Sequence, residues 1–243
     1  MEMVPTFSSV QNQNKLSHQV LNNIKEAIVR GKLKPGDKMP GLAEMATEMG
    51  VGISSVREAI KMLEALEILE SKQGKGIYVC DGLRPSAINP LSLQLILIQP
   101  CVEALTQFRE VYETAFTMLA MSNAEDADLE EMEKIVIELE KKTKIQEADS
   151  QDEMLFHSCV LHCTHNPYVI RTGEAMLEVF LSTIPTCGGM ADDSGIARDH
   201  RKIYESLKNR DKVELQKVLK KSFDGWKIRL SGQEFHEQKY GVD

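Results

Sequence analysis

Leu42-Ala43-Glu44-Met45-Ala46-Thr47-Glu48-Met49-Gly50-Val51-Gly52-Ile53-Ser54-Ser55-Val56-Arg57-Glu58-Ala59-Ile60-Lys61-Met62-Leu63-Glu64-Ala65-Leu66 is the stretch from which the architecture of its surroundings can be worked out. Its apolar residues fall into two runs at helical spacing, Leu42, Met45, Ala46 and Met49 before the glycines and Val56, Ala59, Ile60 and Leu63 after them. Gly50-Val51-Gly52 breaks the period between them. The spacing therefore predicts a short helix over about 42–49, a tight turn, and a second helix over 54–66.

Working outward, residues 15–30 place Leu16, Val20, Ile24 and Ile28 four apart with Leu21 and Ala27 alongside, which is the stripe of an amphipathic helix stopped by Gly31. Residues 32–40 hold Pro35, Gly36 and Pro40 and read as a loop. Downstream the period changes. Residues 68–72 and 77–79 are short runs with β-branched members, separated by Gln73-Gly74-Lys75-Gly76, whose glycines suit a hairpin turn. Three helices followed by a β-ribbon make a winged helix-turn-helix, expected over 15–80 behind a flexible N-terminus, 1–14.

Beyond it, Asp81, Gly82, Pro85, Ser86 and Pro90 give residues 81–100 the composition of a linker. Residues 101–122, 129–145, 151–165, 168–184, 196–209 and 212–230 each carry apolar residues at helical spacing, and none shows sustained strand alternation. The expected fold class is mainly α: an N-terminal winged helix-turn-helix and a C-terminal all-helical antiparallel bundle of about six helices over 101–230, with a polar tail at 231–243.

The 243 residues are 42% apolar and 27% charged, which excludes a disordered or collagen-like chain. The richest apolar run, residues 91–98, is interrupted by Ser92 and Gln94 and is far short of the roughly 20 residues that span a bilayer. The first residues carry no basic stretch leading into an apolar one, so a cytoplasmic location is expected. Cys80, Cys101, Cys159, Cys163 and Cys187 are odd in number, lack C-x-x-C spacing, and read as free thiols. The net charge of −8 is uneven, about +1 over residues 1–80 and −9 over 81–243. Polyanion binding is disfavoured in the second part and requires clustered cations in the first.

Burying Val56, Ala59, Ile60 and Leu63 turns Ser54, Ser55, Arg57, Glu58 and Lys61 outward, so hydroxyls, cations and a helix N-terminus face a potential phosphate chain. Ser55 and Glu58 also have capping-box spacing, a purely structural reason for both. Lys72 and Lys75 lie on or beside the ribbon tip, and Lys32, Lys34 and Lys38 precede the second helix. The DNA-binding set on this reading is Ser54, Ser55, Arg57, Lys61, Lys72 and Lys75.

Gly31-x-Leu33-x-Pro35-Gly36-Asp37-x-Met39-Pro40, Ala46, Gly50-Val51, Val56-Arg57-Glu58-Ala59-Ile60, Leu63-Glu64 and Gly74-x-Gly76-x-x-Val79 together resemble the DNA-binding domain of GntR-type bacterial transcription regulators. The helical part resembles the FCD effector domain of the FadR branch through Arg109-x-x-x-Glu113, Phe156-His157, Asn166-Pro167, Asp199-His200-x-x-Ile203 and Asn209-Arg210-Asp211. The resemblance implies a homodimer that binds double-stranded operator DNA under the control of a small-molecule effector. Gly41-Leu42-Ala43 stands where the family commonly has Ser-Glu-Arg, and Gly52-Ile53 where it has Ser-Arg, so two usual arginines are absent. A guanine-reading arginine supplies about 1–3 kcal/mol of discrimination, so weaker or differently addressed DNA binding follows. Glu67 stands where a helix-ending glycine is usual.

Many FCD domains hold a divalent metal with an acidic residue four before a histidine plus two later histidines. Here the resemblance places Glu153, His157 and His200 in that set, with Asp152 able to replace Glu153 after a small register shift, and Ser222 at the last position. The Ser222 hydroxyl is a poor ligand, and the three remaining donors, completed by water or an effector oxygen, can still hold a borderline cation such as zinc or nickel. The other reading makes His157 and His200 hydrogen-bonded interior residues lining an organic-ligand cavity. Arg109 at a family position near that cavity favours an organic acid, while an intrahelical ion pair with Glu113 explains it equally well. The effector set is Arg109, Glu153, His157, His200 and Ser222. His162, His165 and Cys163 mimic a site on paper, and the i, i+4 pair Cys159 and Cys163 reads as core or partly buried thiols.

No phosphate-cradling glycine loop, G-x-S-x-G turn or H-E-x-x-H pair is present, so the chain is not expected to be an enzyme. The rivals are a helical interaction module whose winged domain binds protein and, behind it, a metal-dependent enzyme using Glu153 and the histidines.

Overall fold

Residues 13–81, 90–98, 101–183 and 194–231 are described by the structure, a computed structural model. It divides into two units, Met1–Pro85 and Ser86–Asp243, each with its own apolar core. The first holds α1 (Gln13–Val29), α2 (Leu42–Met49), α3 (Ile53–Ala65), β1 (Leu69–Lys72) and β2 (Gly76–Val79). Val20 and Ile24 of α1, Met45 and Ala46 of α2, and Val56, Ala59, Ile60 and Leu63 of α3 are buried together with Leu69 and Val79 of the ribbon. Each fully buried aliphatic side chain contributes about 1.5–3 kcal/mol, so this stripe fixes which face of α3 remains outside. Leu16, expected in the α1 stripe, stays largely exposed.

The ribbon is antiparallel, with Leu69 opposite Val79 and Lys72 opposite Gly76. The loop before α2 contributes to it. Met39 N–H donates to the Ile77 carbonyl at 2.8 Å and Val79 N–H to the Asp37 carbonyl at 2.9 Å, so residues 37–39 lie against β2 as a third, minimal strand.

α3 starts one residue earlier than its periodicity indicates, on Gly52 as N-cap, and ends with Glu67 in the left-handed region at φ 56°. There the Ile68 N–H reaches the Leu63 carbonyl at 2.9 Å and the Glu67 N–H the Glu64 carbonyl at 3.0 Å. This paired closure usually employs glycine, because a Cβ is strained at that φ. Replacing Glu67 with glycine is expected to raise unfolding free energy by about 1 kcal/mol, read as a higher urea midpoint.

The second unit holds α4 (Pro90–Ile96), α5 (Val102–Asn123), α6 (Asp126–Lys144), α7 (Ser150–His162), α8 (Pro167–Thr183), α9 (Ser194–Lys208) and α10 (Lys212–Ser231). α5 lies at the centre and touches α7, α8, α9 and α10. α4 lies inside the stretch read as linker. Its Leu91, Leu93 and Leu95 alternate with a period of two, which conceals a helix, while Pro90 suits a first helical turn and Ser92 is buried in a hydrogen bond to Glu178 of α8. Residues 1–14, expected to be a flexible N-terminus, and the expected polar tail at 231–243 fall almost wholly outside the described residues.

Two of the spaced motifs are structural devices. Asn166 Oδ1 accepts from the Tyr168 and Val169 N–H groups, capping α8 with Pro167 in its first turn. Arg210 closes α9 in the left-handed region and donates to the Met121 and Ala124 carbonyls at the end of α5. Gly173 lets α8 approach α7, since a Cβ there would overlap the Leu161 methyl groups. Gly173→Ala is expected to cost about 1–3 kcal/mol through overpacking despite alanine's better helix propensity, and thermal unfolding would show it.

Candidate functional site

On the first unit, the buried stripe of α3 leaves Ile53, Ser54, Arg57, Glu58 and Lys61 exposed. Arg57 and Lys61 enter no ion pair among the described residues, so both charges face solvent. Ser55 does not join them. Because the helix begins at Ile53, Ser55 is its third residue, shares the inner arc with Val56 and Ala59, and is only 3% exposed. The Ser55–Glu58 capping box is absent for the same reason, and Gly52 supplies no side-chain cap. Lys72 pairs with Glu70 at 2.7 Å and lies over the Tyr78 ring at 4.7 Å, so its charge is engaged beside the hairpin turn. Lys75 is exposed at the tip.

The second unit buries a charged cluster at its centre. α5 carries Arg109 and Glu113 one turn apart, α7 carries Glu153 and His157 one turn apart, and α9 supplies His200, all five nearly inaccessible. α7 is set by Asp149, whose carboxylate caps the Gln151 and Asp152 N–H groups. Asp152 returns a cap to Asp149 and pairs with Lys142 at 2.6 Å, so it takes no part in the cluster and does not replace Glu153.

Arg109 Nε donates to Glu113 Oε2 at 2.8 Å, and its Nη2 lies 3.3 Å from Glu153 Oε1 and 3.0 Å from His157 Nε2. The intrahelical pair read from the sequence exists, and the same guanidinium also reaches Glu153 and His157 on α7. Its guanidinium also rests over the Trp226 ring at 4.8 Å and the Phe180 ring at 5.6 Å. His157 Nδ1 is 3.0 Å from Glu113 Oε1, and His200 Nε2 meets His157 Nε2 at 3.1 Å. Arg109 Nη1 and His200 Nδ1 have no hydrogen-bond partner among the described residues.

The charges explain the protonation pattern. Burial alone raises a carboxylate, yet the nearby His157 and Arg109 outweigh it and hold Glu113 at about 2. Glu153 is likewise driven well below the usual range, against its burial, by His157 3.9 Å away and the charge of Arg109. One guanidinium facing two carboxylates leaves a negative balance. His157 is therefore raised despite its burial, through Glu113, and His200 is pushed down to about 3 by burial and by its charged neighbour.

In metal-free protein, an unfolded chain binds a proton at His200 near pH 6.5 that the folded chain refuses until about 3, so acidification through this window favours unfolding. The raised His157 contributes fully below pH 6.5 and loses its contribution as pH climbs through its folded value. Stability is expected to peak near pH 6.5 and to fall by up to about 1.4 kcal/mol per unit below it. Urea midpoints in chelator at pH 5.0, 5.5, 6.0 and 6.5 measure this, and His200→Asn should flatten the acid limb.

The ligand atoms of Glu153, His157 and His200 lie within 4.8 Å of one another, the convergence expected of a cation site. Ser222 is half-buried on α10, one turn before Trp226, with no hydrogen bond into the cluster among the described residues. His162 and His165 turn elsewhere, to the Ser158 carbonyl and to Asp128 at 2.7 Å. Cys159 is half-buried and Cys163 buried; with Cys80 and Cys101 they are free thiols, while Cys187 lies outside the described residues. Sequence reasoning did not foresee the Glu113–His157 contact or the aromatic cover from Phe180 and Trp226. The only signal for the first was the Arg109-x-x-x-Glu113 spacing itself.

Residues 16–79 match the family described as "Bacterial regulatory proteins, gntR family", and residues 104–225 match the FCD domain. The chain belongs to the GntR family. Its relatives include the HTH-type transcriptional regulator LutR of Bacillus subtilis, 30% identical over 65% of this chain and 72% of the relative. The galactonate operon transcriptional repressor of Escherichia coli is 22% identical over 79% of this chain and 87% of the relative. The solved structure of Streptococcus agalactiae GntR shares the fold, with a TM-score of 0.58 at 20% identity, covering 88% of this chain and 99% of that one. This GntR-family member is a DNA-binding transcription regulator with an FCD effector domain. No helix among its described residues is long and apolar enough to cross a membrane.

Proposed function

We propose that the chain works in the cytoplasm as a homodimeric one-component regulator. Residues 15–80 read operator DNA through Ser54, Arg57 and Lys61 of α3, with Lys75 on the wing, and residues 101–230 hold the dimer together and bind a small organic acid. The observation that carries the effector reading is Arg109. A buried guanidinium with a spare Nη1, anchored by two carboxylates at the centre of five helices, offers the planar donors a carboxylate accepts. The galactonate operon repressor is named for the operon of a sugar acid, in keeping with an acid as the class.

The ligand acts only by binding one arrangement of the paired DNA-reading units better than another, since equal affinity for both shifts nothing. Two α3 helices must present themselves about 34 Å apart, or multiples of a helical turn, to meet successive major grooves. Regulation rather than turnover is the proposed activity, in keeping with relatives described as a transcriptional regulator and a transcriptional repressor. Native mass spectrometry of gently purified protein tests the reading. A dimer mass with a retained small acid, lost on Arg109→Met, supports it, and a monomer indifferent to a panel of hydroxy and sugar acids in DNA-release assays overturns it.

The convergence of Glu153, His157 and His200 favours a second reading, zinc or nickel held by these three residues with Glu113 orienting His157. The donor types fit. A bound ion would require a neutral His157 and an Arg109 Nη2 displaced from His157 Nε2. Such an ion supplies a Lewis-acidic position for an effector oxygen. Elemental analysis tests it: zinc or nickel retained by wild type and lost in His157→Ala supports the metal, and metal-free wild type after loading with either ion overturns it.

A further inference from the structure

We propose that Ile53 is a base-reading residue and selects thymine, through its 5-methyl group, in each operator half-site. The inference rests on the reading of α3 as the helix that enters the major groove. Ile53 is the first residue of that helix and is 45% exposed. It stands one turn before Arg57, at the helix end that lies nearest the bases.

Its chain neighbours leave it uncovered. Gly52 before it carries no side chain, and a Cβ there would meet only Ser54 Oγ at 3.5 Å. On the exposed face at this end of α3 the polar side chains beside Ile53 are Ser54 and, one turn on, Arg57 and Glu58.

The major-groove edges of guanine, cytosine and adenine offer acceptors and donors, and thymine alone offers a hydrocarbon group. A butyl side chain pressed against a guanine or cytosine edge leaves desolvated polar atoms unpaired, whereas against thymine it buries methyl on methyl. Ile53 therefore both favours thymine and penalises the guanine that an arginine at the same position would read.

The test uses the full-length protein and duplexes selected from a random pool. Each thymine of the selected sequence is replaced in turn by deoxyuridine, which removes only the methyl group. One replacement per half-site is expected to weaken wild-type binding about three- to tenfold, the value of one buried methyl group, and to leave Ile53→Ala binding unchanged. Ile53→Val should retain most of the sensitivity, and Ile53→Arg should select guanine at that position. A selected sequence bound with a steep salt dependence but indifferent to every deoxyuridine, or a deoxyuridine effect equal in wild type and Ile53→Ala, overturns the role of Ile53 while leaving α3 as the reading helix. Failure to enrich any sequence, with Arg57→Ala indistinguishable from wild type, overturns both.

Discussion

Replacing Arg109 with methionine is expected to destabilise the chain by about 3–5 kcal/mol, the cost of leaving buried charge without its partner. The side chain is 2% exposed and donates to Glu113 and Glu153, which are themselves 1–2% exposed. Without it, two carboxylates and two imidazoles share a site closed to water, and the negative balance can be relieved only by proton uptake or by local opening. Methionine keeps much of the stem's volume but removes the guanidinium that rests over Phe180 and Trp226, so the loss includes those ring contacts as well as the charge. The measurement is the urea midpoint at constant m-value, at pH 7 and moderate salt. A matched control is the triple variant Arg109→Met, Glu113→Gln, Glu153→Gln, which removes the stranded charges and should recover much of the loss, because the residues act as one network. A loss below about 1 kcal/mol for the single variant would mean that the pocket is wetter than its geometry shows and that Arg109 is not held ready for an anion.

The periodic parts of the fold were legible because burial follows spacing. The α3 stripe, the ribbon glycines and the six later helices all follow from apolar residues recurring at the right interval. What periodicity does not carry is phase at an end. Ser55 and Ser54 are adjacent, polar and similar, and only the choice of Gly52 as cap decides that one is buried and the other exposed. α4 was hidden because three leucines at alternate positions imitate a strand, and because the partner that makes them helical, α8, lies some 80 residues away.

The buried cluster was legible in its membership and illegible in its wiring. Spacing on a single helix pairs Arg109 with Glu113 and Glu153 with His157, since side chains four apart share a face. That Glu113 bonds His157 and that Arg109 bridges to Glu153 are contacts between helices, set by how closely α5 and α7 pack. The positive φ at Glu67 belongs to the same class: the sequence shows an unusual residue at a helix end, and only the backbone shows that it adopts the conformation a glycine would.

Arg57→Ala is expected to weaken operator binding by roughly 2–6 kcal/mol, about thirtyfold to more than ten-thousandfold. An arginine contact to a base or phosphate is worth about 1–3 kcal/mol, and a dimer on two half-sites loses it twice. The fold makes this residue harder to replace than its neighbours: Ser55 is turned inward, Lys72 is engaged with Glu70 and Tyr78, and positions 43 and 53 carry no arginine. Arg57 thus remains the sole arginine on the exposed face of α3, one turn from Lys61. Its removal should leave stability within about 0.5 kcal/mol, being an exposed substitution outside any ion pair among the described residues, so lost affinity can be read as lost contact. Fluorescence anisotropy against salt separates the possible contacts. A phosphate contact lowers the slope of log affinity against log salt by about 0.9 per arginine, whereas a guanine contact leaves more of the slope and relaxes the selected sequence at one position. If Arg57→Ala kept full affinity at moderate salt, the outward face of α3 would not be the DNA-reading surface, and the winged unit would be left with a protein partner, whose apolar interface should be nearly blind to salt.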